Sequence, residues 1–519
     1  MSTLVSKLDK VVKNTPEQIA IVFNDTKIEY GRFHEAVLKL AQGLHDLGVA
    51  KGDRVGLMLP NVPHFCISYY AAISIGAIAV PINFQSLQSD IEYYLQDSGA
   101  KVMITWQGFC NEVLPAVEKT ETCREILVLG NKIPGTARPL TQIIASSKSL
   151  SESVSMDSND VAVINYSAGI TNKALGAMMT HEALIANANA ARNLFMLTSK
   201  DTLVSPLSLS HPLAQTLQMN AAFFSGGTLS LISRFNPNDV VENIQKNRGT
   251  FFCGVPDMYK SLAKLEIDQS NTPSLKHCLC YGGHLAEKVI EQFEAKFDAF
   301  VYQSYGLTEA GPLVASNRFD KDRKSQSVGL PLVGVDIQIR GQNGSLLKPN
   351  ESGEIWIYSP STMKGYFNRQ DETDKRFRDN WLFTGDIGYL DEDHYLYIQE
   401  RKEDIIMKGG FQIFPRQIES VLAQHDLVDE VAVVGVPDPV QGSELKALIV
   451  PKKNAEINRD DIMEFCKNSL PVYKIPKYIE FTKELPKSAA GRVLKHVIRQ
   501  NLAATKNPFV ISNKTTKIA

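Results

Sequence analysis

Phe65-Cys66-Ile67-Ser68-Tyr69-Tyr70-Ala71-Ala72-Ile73-Ser74-Ile75-Gly76-Ala77-Ile78-Ala79-Val80-Pro81 opens a run to Gln85 without a charged residue. A membrane span needs about 20 apolar residues, so the run has to be tested against that reading first. Ser68, Tyr69 and Tyr70 interrupt it early, and Gly76 followed by Ala77 to Val80 and Pro81 reads as a buried helix ending in a short buried strand. No integral membrane segment is expected. Outward from it, Arg54 to Leu59, Val102 to Thr105, Glu125 to Leu129 and Val161 to Asn165 are short apolar runs separated by helical stretches such as Arg32 to Leu47. That alternation predicts an α/β fold: a large N-terminal domain of parallel sheets covered by helices.

Further along the texture changes. Val335 to Arg340 and Gly353 to Tyr358 flank the turn signal Asn343-Gly344, which predicts a β-rich subdomain. Arg401-Lys402-Glu403-Asp404 is a charged connector; beyond it Gln417 to Ala423 and Ile462 to Leu470 read as helices, Val431 to Val434 and Leu445 to Val450 as strands. The expected division is residues 1–400 as the large domain, 401–505 as a small, mobile α+β domain and 506–519 as a polar, frayed tail.

With 519 residues and 57.5 kDa the chain has room for a substantial core. Lys+Arg 55 against Asp+Glu 57 gives a net charge of −2 with both signs interspersed, which disfavours nucleic acid as a partner. Seven cysteines without a C-x-x-C pair give neither a disulfide framework nor a zinc spacing. Met1 to Pro16 has no apolar centre of a secretory signal, so the expected localisation is cytoplasmic. Cys278 and Cys280 alternate on an expected strand and read as packing.

The sharpest chemical pattern is Tyr302-Gln303-Ser304-Tyr305-Gly306-Leu307-Thr308-Glu309. Tyr305 can stack on a base, Gly306 allows close backbone approach, Thr308 can donate to a phosphate oxygen and Glu309 can hold Mg²⁺. A strand end with satisfied polar groups reads equally well from this stretch alone. Thr384-Gly385-Asp386 and Arg401 add a carboxylate able to accept ribose hydroxyls and a cation with further donors.

In this order the pieces resemble the adenylate-forming superfamily of acyl-CoA synthetases, 4-coumarate-CoA ligase-like enzymes, luciferases and peptide-synthetase adenylation domains, nearest to bacterial fatty acyl-CoA ligases. The likeness runs from about Ile28 to Ile498. Gly254 to Tyr259, Gly282-Gly283, Gly329-Leu330-Pro331, Met363 to Tyr366, Phe383 to Asp386, Gly409 to Pro415 and Leu485-Pro486-Lys487 support it. The resemblance implies that a carboxylic acid and ATP, with Mg²⁺, yield acyl-AMP and pyrophosphate. The small domain then rotates, and the thiol of coenzyme A or of an acyl carrier protein displaces AMP. It also implies that Tyr305 stacks adenine beside Gly282, Gly283 and His284, that Thr308 touches the α-phosphate, that Glu309 binds the metal and that Asp386 holds the ribose with Arg401 nearby. Gln303, Gly306 and Gln412 belong to the same nucleotide-binding set. Glu403 falls at the hinge, and His211, in Ser208 to Thr216, matches an aromatic or histidine gate beside the acyl and thiol tunnels.

Two departures stand out. The family's phosphate loop ends in Pro-Lys-Gly; here Ser167, Gly169 and Thr171 remain, but Ile170 replaces a hydroxyl, Asn172 a glycine and Leu175 the lysine. Lys173 could supply the charge only from a rerouted loop. The lysine that bridges the carboxylate and α-phosphate is Arg492 here, a planar fork in place of a compact ammonium. Loss of one aimed donor costs on the order of 10²- to 10³-fold. Lys487 and Lys495 read as surface charge. The expected function is an acid–thiol ligase for a hydrophobic acid, a fatty acid first and an aryl acid second, because Ser208 to Met219 and Ala310 to Ala315 are small or apolar. An enzyme that takes preformed acyl-AMP and a non-catalytic binding protein remain as alternatives.

Overall fold

The computed structural model describes residues 2–150, 154–167, 174–267, 272, 274–487 and 493–504. The run that opens at Phe65 forms the helix Pro63–Ser74, with a proline in its first turn and buried all round, and then the buried strand Ile78–Pro81. Among the described residues no helix is long and apolar enough to cross a membrane.

The chain divides into two compact units, Met1–Ile337 with Ile357–Leu382, and Gln338–Trp356 with Phe383–Ala519. The first holds two large sheets. One runs in the order Arg138–Pro139, Glu125–Leu129, Val102–Trp106, Arg54–Met58, Ile78–Pro81, Val161–Ser167, Leu175–Thr180, parallel except for its last, antiparallel pair. The other has a parallel centre of Phe300–Leu307, His277–Cys280, Phe251–Gly254, Thr202–Ser205, Thr228–Leu231 and Ile19–Phe23. Antiparallel strands close both of its edges. Parallel strands buried on both faces need continuous apolar runs, and the four runs the alternation located are strands of the first of these sheets. Cys278 and Cys280 pack in the buried cluster with Phe252, Tyr259 and Phe293.

Local signals set the boundaries. Thr180 ends the strand Leu175–Thr180 and caps the helix His181–Leu194, its hydroxyl accepting from the Ala183 amide at 3.1 Å. Gly329 has φ +89°, and a Cβ there would lie 1.9 Å from the backbone of Ser316 and Asn317, so this turn admits only glycine.

In the second unit Val428–Asp438 and Gly442–Pro451 pair antiparallel, with Tyr478–Phe481 added parallel. The helices Pro415–Leu422 and Arg459–Ser469 cover one side through Ile418, Leu422, Ile462 and Cys466. Ile498 of the helix Lys495–Ala504 packs with Ala432, Val434 and Leu448. The capping box Asn458/Asp461 starts Arg459–Ser469. Asn343-Gly344 makes its turn, but the turn closes a small loop on the bridge Arg340↔Leu346, while Gly353–Tyr358 follows as a separate strand.

Lys495 is not surface charge. Its side chain is 11% exposed and its ammonium lies 3.0 Å from Glu419 and 3.3 Å from Glu400, both largely buried. A helical sequence with one lysine carries no mark of burial until the partner carboxylates arrive from other elements. Lys487 pairs with Glu430 at 2.5 Å. Thr180→Ala should lower stability by about 1 kcal/mol. Thermal melts check this, and an unchanged melting temperature would contradict the cap.

Candidate active site

Glu309 is the centre of the first unit's polar site. Phe300–Leu307 ends in a short 3₁₀ turn, Thr308–Ala310, which turns the Glu309 carboxylate inward until it is 6% exposed. A carboxylate so far from water needs donors. Ser167, at the end of Val161–Ser167, donates its hydroxyl to Oε1 at 2.9 Å, and Tyr366 donates to the same oxygen at 2.9 Å. The Met363 amide donates to the Glu309 carbonyl at 2.8 Å. Burial, then Glu309, push the Tyr366 phenol well above its ordinary range, so it stays a donor.

Tyr305 and Thr308 are half-buried beside it, and Gly306 is required because a Cβ would meet the Pro312 carbonyl oxygen at 2.3 Å. Tyr281 donates to the Gly306 carbonyl at 2.9 Å and meets the His211 ring edge-on at 6.1 Å. His211 and the Gly306 backbone therefore share one neighbour. Gly283 and His284 are exposed, with Gly282 half-buried. Gln303 is 3% exposed and braces the backbone: its Oε1 accepts from the Leu285 amide at 3.0 Å and its amide donates to the Ser325 carbonyl. It supports the turn that carries Gly282 to His284.

The stretch Ser208 to Met219 is less apolar than its composition suggested. Ala214–Asn220 forms a π-helix whose residues are all buried, with Gln215 donating to Asn165 at 3.3 Å and to the Ser210 carbonyl at 3.1 Å. Gln215 Oε1 and Thr216 Oγ1 are buried without a hydrogen-bond partner among the described residues. Leu175, in the loop-lysine position, is 8% exposed in a strand paired with Ser167. Gly169, Thr171, Lys173 and Arg492 lie outside the described residues.

In the second unit Asp386 and Arg401 face each other across antiparallel strands, 2.7 Å apart. Asp386 is 5% exposed, and its amide donates to the Thr384 hydroxyl at 3.0 Å. Gln412 is exposed on Phe411–Ile413, and Glu403 sits in the short turn Lys402–Asp404.

Among the described residues no three His, Cys, Asp or Glu side chains cluster as a metal cage. Mg²⁺ is commonly held by one or two carboxylates plus waters and substrate phosphates, so a lone Glu309 with both hydroxyls on one oxygen fits that demand. Tyr281 and Tyr366 were not singled out as site residues. Tyr366 stood inside a matched segment, but its partner lies 57 residues away.

Two segments match known families: residues 8–367 match AMP-binding enzyme and residues 417–492 match AMP-binding enzyme C-terminal domain. The long-chain-fatty-acid–CoA ligase of Bacillus subtilis (strain 168) is 33% identical over 526 residues, spanning 95% of this chain and 93% of that protein. A feruloyl-CoA synthase from an Amycolatopsis species is 32% identical over 488 residues, 94% of this chain and 96% of its own. The crystal structure of ATP-bound MatB from Rhodopseudomonas palustris superposes with a TM-score of 0.89 at 26% identity, covering 97% and 99% of the two chains.

His211 and His181 both fold neutral. Burial pushes each imidazole down to about 4, and backbone amides donate to their Nδ1 atoms, Leu213 to His211 at 3.1 Å and Leu4 to His181 at 3.2 Å. Between 6.5 and 4 the unfolded chain binds more protons, so stability falls as pH falls through that window, by roughly 1–3 kcal/mol for each group. Thermal melts from pH 7 to 4.5 should show this slope. His211→Gln should shrink it, and an unchanged slope would contradict a neutral His211.

Proposed function

Because this chain belongs to the AMP-binding enzyme family of adenylate-forming proteins, we propose that it is an AMP-forming acid–thiol ligase whose acid is a fatty acid. The observation that carries the reading is the Ser167–Glu309 hydrogen bond. It joins, at 2.9 Å, the strand that leads into the phosphate-loop sequence and the carboxylate of the Tyr305 to Glu309 motif. ATP, Mg²⁺ and coenzyme A are the substrates and metal of such ligases. The bound Mg²⁺ would neutralise phosphate charge.

This chain's own groups then have separate tasks. Glu309 offers the carboxylate for the cation, while Ser167 and Tyr366 fix its orientation and prevent rotation. Thr308, half-buried at the start of the same turn, supplies a hydroxyl for the α-phosphate. Tyr305 offers a ring for adenine, and Asp386 two acceptor oxygens for the ribose hydroxyls. Arg492 supplies positive charge to the developing acyl-phosphate oxygens, and its fork predicts slow adenylation. Neutral His211 packs on Tyr281 as an uncharged gate, which suits an apolar chain better than an imidazolium would. The curated fatty-acid ligase relative and the buried apolar strand Gly311–Ser316 favour a long aliphatic acid, with the feruloyl-CoA relative keeping an aryl acid second.

The test supplies a series of fatty and aryl acids with ATP and Mg²⁺, following pyrophosphate, and then preformed acyl-AMP with coenzyme A, following thioester. Pyrophosphate release with fatty acids is expected; thioester from acyl-AMP alone would overturn the adenylating role. Glu309→Gln should slow pyrophosphate release by about 10²-fold. Arg492→Lys should raise it by roughly tenfold. Leu175→Lys is expected to destabilise the fold, because it places an ammonium where an 8% exposed leucine packs.

A further inference from the structure

The six residues between Ser167 and Ala174 join two paired strands, and the helix Gln88–Ser98 grips both strand ends from one side. Tyr93 donates its hydroxyl to the Ala174 carbonyl at 2.7 Å. Tyr166 donates to Asp97 Oδ2 at 2.8 Å, and its ring lies 4.6 Å from that of Tyr94. The Asp97 side chain is 5% exposed, and its Oδ1 accepts from Arg369 at 2.6 Å. Burial, then Asp97, raise the Tyr166 phenol far above its ordinary range, so it remains a donor throughout the working pH range.

Arg369 follows Tyr366 by one turn, its amide donating to the Tyr366 carbonyl at 3.2 Å. The contacts therefore close into a ring. Ser167 and Tyr366 meet on Glu309, while Tyr166 and Arg369 meet on Asp97. Two carboxylates thus bridge the same two chain segments, Glu309 at the candidate metal position and Asp97 one residue back along the strand and one turn on from Tyr366. A bidentate arrangement of this kind fixes direction as well as distance, and a displacement of about 1 Å at a reacting group can cost 10²-fold in rate.

We propose that Asp97, acting with Tyr93 and Arg369, is a positioning residue for ATP: it ties the strand end Tyr166-Ser167 to the segment Tyr366 to Arg369, so that Ser167 and Tyr366 stay in register on Glu309. The proposal rests on the reading of Ser167 and Glu309 as groups that face ATP. Asp97 touches no reacting atom, so its loss weakens the grip on ATP and leaves attack by a thiol on finished acyl-AMP unaffected.

The test compares wild type, Asp97→Asn, Tyr93→Phe, Asp97→Asn with Tyr166→Phe and, as a control on the same helix, Glu92→Gln, which pairs with Lys119 at 3.1 Å and touches neither Tyr166 nor Arg369. Three quantities are read in the full chain: the Kd for ATP with Mg²⁺ by calorimetry, the KM for ATP in pyrophosphate release, and thioester formation from preformed acyl-AMP and coenzyme A. Asp97→Asn should raise the Kd and KM for ATP at least tenfold, with thioester formation within twofold of wild type. Glu92→Gln should change none of the three. Asp97→Asn combined with Tyr166→Phe should be no worse than Asp97→Asn alone, since the Tyr166 contact is one of the two that Asp97→Asn already disturbs. An unchanged Kd for ATP in Asp97→Asn, or an equal loss of all three readouts, overturns the positioning role. Should wild type bind ATP but release no pyrophosphate, the ligase reading falls while the Kd comparison still decides the role of Asp97; a wild type that does not bind ATP overturns both.

Discussion

A buried carboxylate that needs hydrogen-bond partners organises the first unit. Glu309 is almost wholly removed from water, and a carboxylate there is tolerable only when hydroxyls replace the lost hydration. The two that do so come from positions 167 and 366, on either side of it in sequence by 142 and 57 residues. Satisfying one carboxylate therefore determines where the strand Val161–Ser167, the turn Thr308–Ala310 and the segment around Tyr366 sit with respect to each other. The Asp97 contacts repeat the solution a short distance behind.

Much of this was legible in the sequence, for reasons that differ by element. Parallel strands buried on both faces leave continuous apolar runs, so Arg54–Met58, Val102–Trp106 and Val161–Ser167 could be found without partners. The helix–strand pair around Gly76 was readable because glycine and proline punctuate it. Tyr305 to Glu309 stood out because an aromatic, a glycine, a hydroxyl and a carboxylate lie within five residues.

What stayed hidden depends on long-range pairing. Lys495 read as surface charge, and only the arrival of Glu400 and Glu419 makes it a buried ion pair. Leu175 occupied a position defined by what it lacked, whereas in the fold it is an ordinary core residue opposite Ser167. Gln303 was assigned to the nucleotide by its place in the motif, and the structure commits its amide to the backbone of Leu285 and Ser325. Asp97 and Arg369, far apart in sequence and individually unremarkable, meet at 2.6 Å.

The most direct measurement of the central claim is exchange of labelled pyrophosphate into ATP, which occurs only when an acyl-adenylate forms reversibly. The account predicts exchange that requires a fatty acid and Mg²⁺, proceeds without coenzyme A and collapses when the Glu309 carboxylate is replaced by an amide. Exchange that persists at the wild-type rate after that replacement, or that never occurs although ATP is bound, would contradict it.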